Sequence, residues 1–146
     1  MDTSALSRYY NRDRGAEWMV ARMTSGAAIY ISAFTLIELA AAIARRGKAS
    51  ARTQRQAKRM LDRLDKDAAS FRVLASEQSV LDRAMVLARS GSVRGADAVQ
   101  LATALQLAEI VAQAGGSPPV FVCADRELNA AAEANGLSVE NPDDHA

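Results

Sequence analysis

The sequence predicts an α/β fold, a short parallel sheet flanked by helices on both faces. Three observations lead there. Short β-branched runs alternate with longer stretches of helical periodicity, the pattern of strands joined by crossover helices. Most of the glycines and prolines fall between these stretches, where turns are needed. The 146 residues are 49% hydrophobic and 24% charged, proportions of an ordinary globular chain and a length that suits one compact domain, residues 1–146.

Each element has its own signal. Ser4 to Tyr10 and Ala16 to Met23 read as two helices. "AIYIS", Ala28 to Ser32, is a strand, with Gly26 breaking before it. Helices follow from about Phe34 to Arg46 and from about Thr53 to Ala69, separated at Gly47. "FRVLA", Phe71 to Ala75, is a second strand, and Ser76 is expected to cap a helix to about Arg89. An alanine- and leucine-rich helix occupies the stretch from Val93 to Gly116 and is closed by Gly115-Gly116 and Pro118-Pro119. "VFVCA", Val120 to Ala124, is the strongest strand. Arg126 to Asn135 is a short helix ended by Gly136, and "LSVE" is a last strand. There is no repeat, no low-complexity tract and no linker long enough to divide the chain.

Charge is unevenly spread. The formal net charge is +1, yet Arg45 to Lys66 holds nine lysines and arginines against Asp62 and Asp65, so this segment is +7 and the remainder −6. A basic segment on an acidic body suggests a polyanion or an acidic partner; a solvated helix face is the competing reading. The single cysteine, Cys123, rules out an internal disulfide and fits a reducing compartment. Within "VFVCA" it reads as a small buried residue rather than a nucleophile. One histidine, His145, leaves almost no material for Ser-His-Asp chemistry or a histidine-rich zinc site. No apolar run reaches membrane-spanning length and no signal-peptide pattern opens the chain, so the protein is expected to be cytoplasmic, without a membrane partner.

Four acids stand where ligands bind in an open parallel sheet, beyond the carboxyl ends of its strands or at helix starts. Asp97 sits in the first turn of its helix, with Leu101, Ala104, Leu105 and Ala108 on the same face, so a carboxylate heads an apolar stripe. Asp125 directly follows "VFVCA", Glu38 lies six residues past "AIYIS", and Asp2 precedes "TSAL". Each has a plainer reading. Asp97 is a charge favoured by the helix macrodipole. Thr35 and Glu38 match a capping box. Asp125 caps "RELNAAAEA", and Asp2 is a terminal residue. Four carboxylates in one crevice repel one another unless something positive sits between them. Without histidine or cysteine ligands, that partner is a hard, oxygen-preferring cation, Mg²⁺ or Mn²⁺.

"MDTSAL", then Ser32, Thr35 and Glu38 as "S..T..E", then "RGADAVQLATAL", then "FVCADREL" resemble PIN-domain ribonucleases in order and spacing, and above all the VapC-type toxins of toxin–antitoxin pairs. The likeness runs from Asp2 to about Ser138. It implies a PIN-like three-layer fold and an acidic quartet of Asp2, Glu38, Asp97 and Asp125 that binds Mg²⁺ or Mn²⁺ and cleaves single-stranded RNA, leaving a 5′-phosphate and a 3′-hydroxyl. Ser4 matches the family's small polar residue that orients a water or metal ligand. The resemblance also implies a homodimer held inactive by a cognate antitoxin. The Arg45 to Lys66 segment is then available for RNA phosphates or for an acidic antitoxin. Tyr9, Tyr10 and Trp18 are candidates for base stacking, with core or dimer packing as the alternative.

One feature departs from the family. Its members carry a strand in the middle of the sheet just before the first aspartate, and here only Met1 precedes Asp2. The expectation is a truncated first strand, the chain starting several residues late. Otherwise Asp2 is poorly anchored beside a cationic α-amino group. Two rival functions remain. A haloacid-dehalogenase-like phosphatase also places an aspartate after its first strand, but wants a second acid where this chain has Ser4. An inactive PIN scaffold would bind RNA or a protein partner without cutting.

Overall fold

A computed structural model describes residues 1–145 of the chain. The helices among them are α1 (Thr3–Asn11), α2 (Ala16–Thr24), α3 (Ala33–Gly47), α4 (Ala51–Ala68), α5 (Gln78–Arg89), α6 (Gly95–Gln113) and α7 (Arg126–Ala134). The strands are β1 (Tyr30–Ser32), β2 (Arg72–Leu74), β3 (Val120–Val122) and β4 (Ser138–Glu140), and a 3₁₀ turn spans Pro142–His145. This is the expected alternation of short parallel strands and longer helices. The strands are shorter than the apolar runs that announce them, because only three residues of each find a partner.

The sheet is split. β1 pairs with β2 and β3 with β4, both in parallel, as two separate ladders. Met1 and Asp2 stand between them: the Met1 ammonium donates to the Tyr30 carbonyl at 2.8 Å, and the Asp2 amide donates to the Val122 carbonyl at 2.9 Å. Successive residues of a parallel strand bond to opposite neighbours, so these two bonds are what the last residues of a strand inserted between β1 and β3 make. Behind them a cavity of about 460 Å³ separates the two edges, lined by Tyr30, Val120 and Val122 with Leu107 and Val111 of α6. Asp2 is therefore well anchored, buried to 4% exposure even with only Met1 before it. The Met1 ammonium is held out of water, and its desolvation, only partly opposed by the Asp2 charge, pushes its pKa down to about 6.

Two cores flank this split. Leu6 and Tyr9 of α1, Met19 of α2, Ile31 of β1 and Leu39 and Ile43 of α3 form one. Leu101 of α6, Phe121, Cys123 and Leu128 form the other. α6 runs past both edges of the split, and its first half is buried from Ala98 to Thr103 except for the half-covered Val99. That is why Asp97 heads a stripe built for burial.

Two local signals resolve differently from expectation. Ser76 does not cap α5: Glu77 holds the N-cap position without a side-chain bond, and the Ser76 hydroxyl is buried without a protein partner. The capping box expected of Thr35 and Glu38 is absent, since α3 starts earlier and Ser32 caps it by accepting from the Phe34 amide at 3.2 Å. Gly47 does end α3 as expected, and packing requires a glycine there: a Cβ would lie 2.8 Å from Ala57 of α4. Among the described residues no helix is long and apolar enough to cross a membrane.

Candidate functional site

The four acids converge at the end of the fold where β1 and β3 finish. Asp2 is the N-cap of α1, accepting from the Ser4 amide at 2.7 Å through Oδ2. Glu38 is in the second turn of α3 and half-buried. Its Oε2 accepts from the Thr3 hydroxyl at 2.6 Å and from the Gln100 amide at 3.0 Å. Asp97 lies in the first turn of α6. Asp125 is the N-cap of α7, its Oδ1 accepting from the amides of Glu127 and Leu128 at 2.9 and 3.1 Å. Asp2 and Asp125 thus do cap helices, and capping fixes one oxygen of each.

Electrostatics ties the acids together. Burial pushes the Asp97 carboxyl above its ordinary pKa, and the charge of Asp2 pushes it further. Asp125 and Glu38 act in the same sense, while the Arg94 guanidinium opposes them. One carboxyl therefore senses the other three. Arg94 supplies the nearby positive charge: its Nε lies 3.4 Å from Asp97 Oδ2 and its Nη2 lies 3.6 Å from Asp125 Oδ2.

Below the acids lies a polar cluster. Gln100, one turn beyond Asp97 and buried, donates to Thr3 Oγ1, Thr35 Oγ1 and Glu38 Oε2, each at 3.0 Å. It links α6, α3 and α1 at a single side chain. Ser4 holds Asp2 through its amide, and its hydroxyl accepts from the Ala124 amide at 2.9 Å and sits 3.4 Å from Cys123 Sγ. It staples α1 to the end of β3. Cys123 is buried, as expected, and burial together with the Asp2 charge pushes its thiol up to about 12. That is no nucleophile.

Thr3, Gln100 and Arg94 were not among the residues singled out from sequence. Gln100 had a visible signal, a long polar side chain three residues after Asp97 in a run of alanine and leucine. Thr3 had none beyond adjacency to Asp2, and Arg94 none beyond lying three residues before Asp97. The aromatic candidates resolve into packing. Tyr9 and Tyr10 are buried edge to face, with the Arg63 guanidinium over the Tyr9 ring and bonded to its hydroxyl. Trp18 stacks on His145 with ring centroids 4.6 Å apart.

The donor set suits a hard divalent ion, being all oxygen and collectively negative. Among the described residues, no three acids, histidines or cysteines are gathered tightly enough to hold a metal ion as they stand. Glu38 is engaged by Thr3 and Gln100, and Arg94 lies against Asp97 and Asp125. Compared with known proteins, the chain matches the family model for the PIN domain over residues 1–133. No curated protein matches it.

Proposed function

We propose that this chain, which belongs to the PIN-domain family, is a divalent-metal-dependent endoribonuclease and the toxin of a toxin–antitoxin pair. PIN domains are generally nucleases, and those nucleases generally use divalent metal ions. The single observation that carries the reading is the placement of acids from separate elements around one spot: Asp2 caps α1, Asp125 caps α7 and Asp97 opens α6, with Arg94 bridging the last two at 3.4 and 3.6 Å and Glu38 tied to α6 through Gln100. Asp2, Glu38, Asp97 and Asp125 would hold Mg²⁺ or Mn²⁺. Such an ion, when bound, lowers the pKa of a coordinated water and offsets the charge that builds on the phosphodiester.

The protein's own groups do the positioning. The Ser4 amide holds one oxygen of Asp2, and the amides of Glu127 and Leu128 hold one oxygen of Asp125. Thr3 and Gln100 fix one oxygen of Glu38 by hydrogen bonds from two different helices. Water attacks phosphorus in line and leaves a 5′-phosphate and a 3′-hydroxyl. Arg52, Arg55, Lys58 and Arg59 are all exposed on α4 and contact RNA phosphates or an acidic antitoxin tail. The protein works as a homodimer that its antitoxin silences.

An inactive scaffold that binds RNA or protein is the second reading. The loose grouping of the acids favours it. Incubation with generic single-stranded RNA separates the two. Cleavage that needs Mg²⁺ or Mn²⁺ and is lost in Asp97→Asn is the expected result. RNA binding without cleavage in either ion would establish the scaffold instead.

A further inference from the structure

We infer that Arg94 is a built-in counter-cation of the acidic cluster, and that a divalent ion binds by taking the Asp97 and Asp125 carboxylates from it. The inference rests on the reading of this cluster as a metal centre. Arg94 occupies the N-cap position of α6 but makes no capping bond with its side chain. Its guanidinium instead spans two carboxylates that head different helices, at 3.4 Å and 3.6 Å. Val93, Arg94, Asp97, Asp125, Glu127 and Leu128 line a small cavity of about 130 Å³ at this point.

The contacts have the character of a placeholder. Charge-assisted hydrogen bonds that carry much energy are shorter, roughly 2.7–2.9 Å. The Arg94 side chain is 78% exposed, so water screens both pairs and the chain is free to swing outward. Asp125 does not depend on it for position, keeping two backbone donors on its other oxygen, and the backbone of Asp97 is set by the first turn of α6. Asp97 and Asp125 would hold Mg²⁺ or Mn²⁺ through the carboxylates that the guanidinium faces, so the ion and Arg94 would compete for the same oxygens. Arg94 therefore eases the mutual repulsion of the acids when metal is absent, and weakens metal binding by competing for two of the ligands.

The test is a calorimetric titration of Mn²⁺ into the wild type, Arg94→Ala and Arg94→Lys at low ionic strength. Arg94→Ala should bind Mn²⁺ roughly tenfold more tightly, the size expected for removing one screened charge beside a divalent ion. Arg94→Lys should stay near the wild type, because it keeps the charge. Metal-free Arg94→Ala should melt at a lower temperature than the wild type. A wild type that binds Mn²⁺ while Arg94→Ala binds it no more tightly would overturn the role of Arg94 alone. A wild type that takes up no Mn²⁺ would overturn the metal centre itself.

Discussion

The Gln100 amide donates to the Glu38 carboxylate at 3.0 Å across 62 residues of sequence. The same nitrogen reaches Thr3 and Thr35, so one buried side chain on α6 registers the second turn of α3 and the start of α1. Removing a partner from such a cluster costs more than its bonds contribute, because buried polar atoms are left unsatisfied. Gln100→Leu should destabilise the fold by about 1–3 kcal/mol, measured by urea unfolding. Gln100→Glu should be worse at neutral pH, since it sets a second carboxylate against Glu38, and should recover part of the loss on acidification. Equal stability of Gln100→Leu and the wild type would remove the cluster from any organising role.

The split between β1 and β3 gives a prediction with two readouts. Fusing roughly four alternating aliphatic residues ahead of Met1, at about 3.3 Å each, should carry a strand into the cavity and raise the melting temperature. The same fusion turns the buried ammonium into an amide. In the chain beginning at Met1, the folded pKa of that group is about 6 against an ordinary 8.0, so the unfolded state binds more protons between those values. Stability should therefore rise as pH goes from 6 to 8, by about 2–3 kcal/mol, and be lost as pH falls back through 6. The fusion should flatten that rise. Melting curves at pH 5.5 and 8.5 for both proteins test each part, and an unchanged melting temperature would mean that the cavity does not take a strand.

Much of this architecture was legible in the residues, and the misses have physical causes. Helices announced themselves through periodicity because each buries one stripe, and α6 ran where its alanines and leucines placed it. Strand lengths did not, because the apolar run sets what is buried while pairing sets what counts as strand. Ser32 and Thr35 are both chemically able to cap α3. Ser32 takes the cap, while Thr35 and Glu38 are bonded to Gln100, a partner that local pattern cannot reveal. The four acids were visible as types at strand tips and helix starts. That Arg94 lies between two of them depends on how the loop before α6 folds back.

The basic face of α4 is open to a direct measurement. Ala57 and Leu64 turn inward, while Arg52, Arg55, Lys58 and Arg59 are exposed. Arg63 is committed elsewhere, to Tyr9 and Asp67. If the four exposed cations meet RNA phosphates, changing them to alanine should weaken binding at low salt. The slope of log affinity against log salt should flatten by roughly 0.7 for each phosphate that is no longer neutralised. An unchanged slope in fluorescence anisotropy would return this face to ordinary solvation.

Asp97 offers the sharpest test of the site. Its carboxyl is raised by burial and by Asp2, Asp125 and Glu38, against which Arg94 pulls the other way. A raised folded pKa means that the ionised form is penalised in the fold. The penalty is absent below the unfolded pKa, grows as pH rises through the interval up to the folded pKa, and is constant above it. Asp97→Asn keeps the shape and removes the charge, so at neutral pH the metal-free variant should be more stable, by something on the order of 1 kcal/mol. Added Mn²⁺ should then stabilise the wild type far more than the variant, because a ligand raises stability only as far as it binds the native state. A helix-start charge predicts the reverse: Asn would forfeit a dipole interaction of roughly 0.3–1 kcal/mol and leave any metal response intact. Melting curves of both proteins with and without Mn²⁺ decide. A variant that is less stable without metal and equally stabilised by it would return Asp97 to the ordinary acids that open helices.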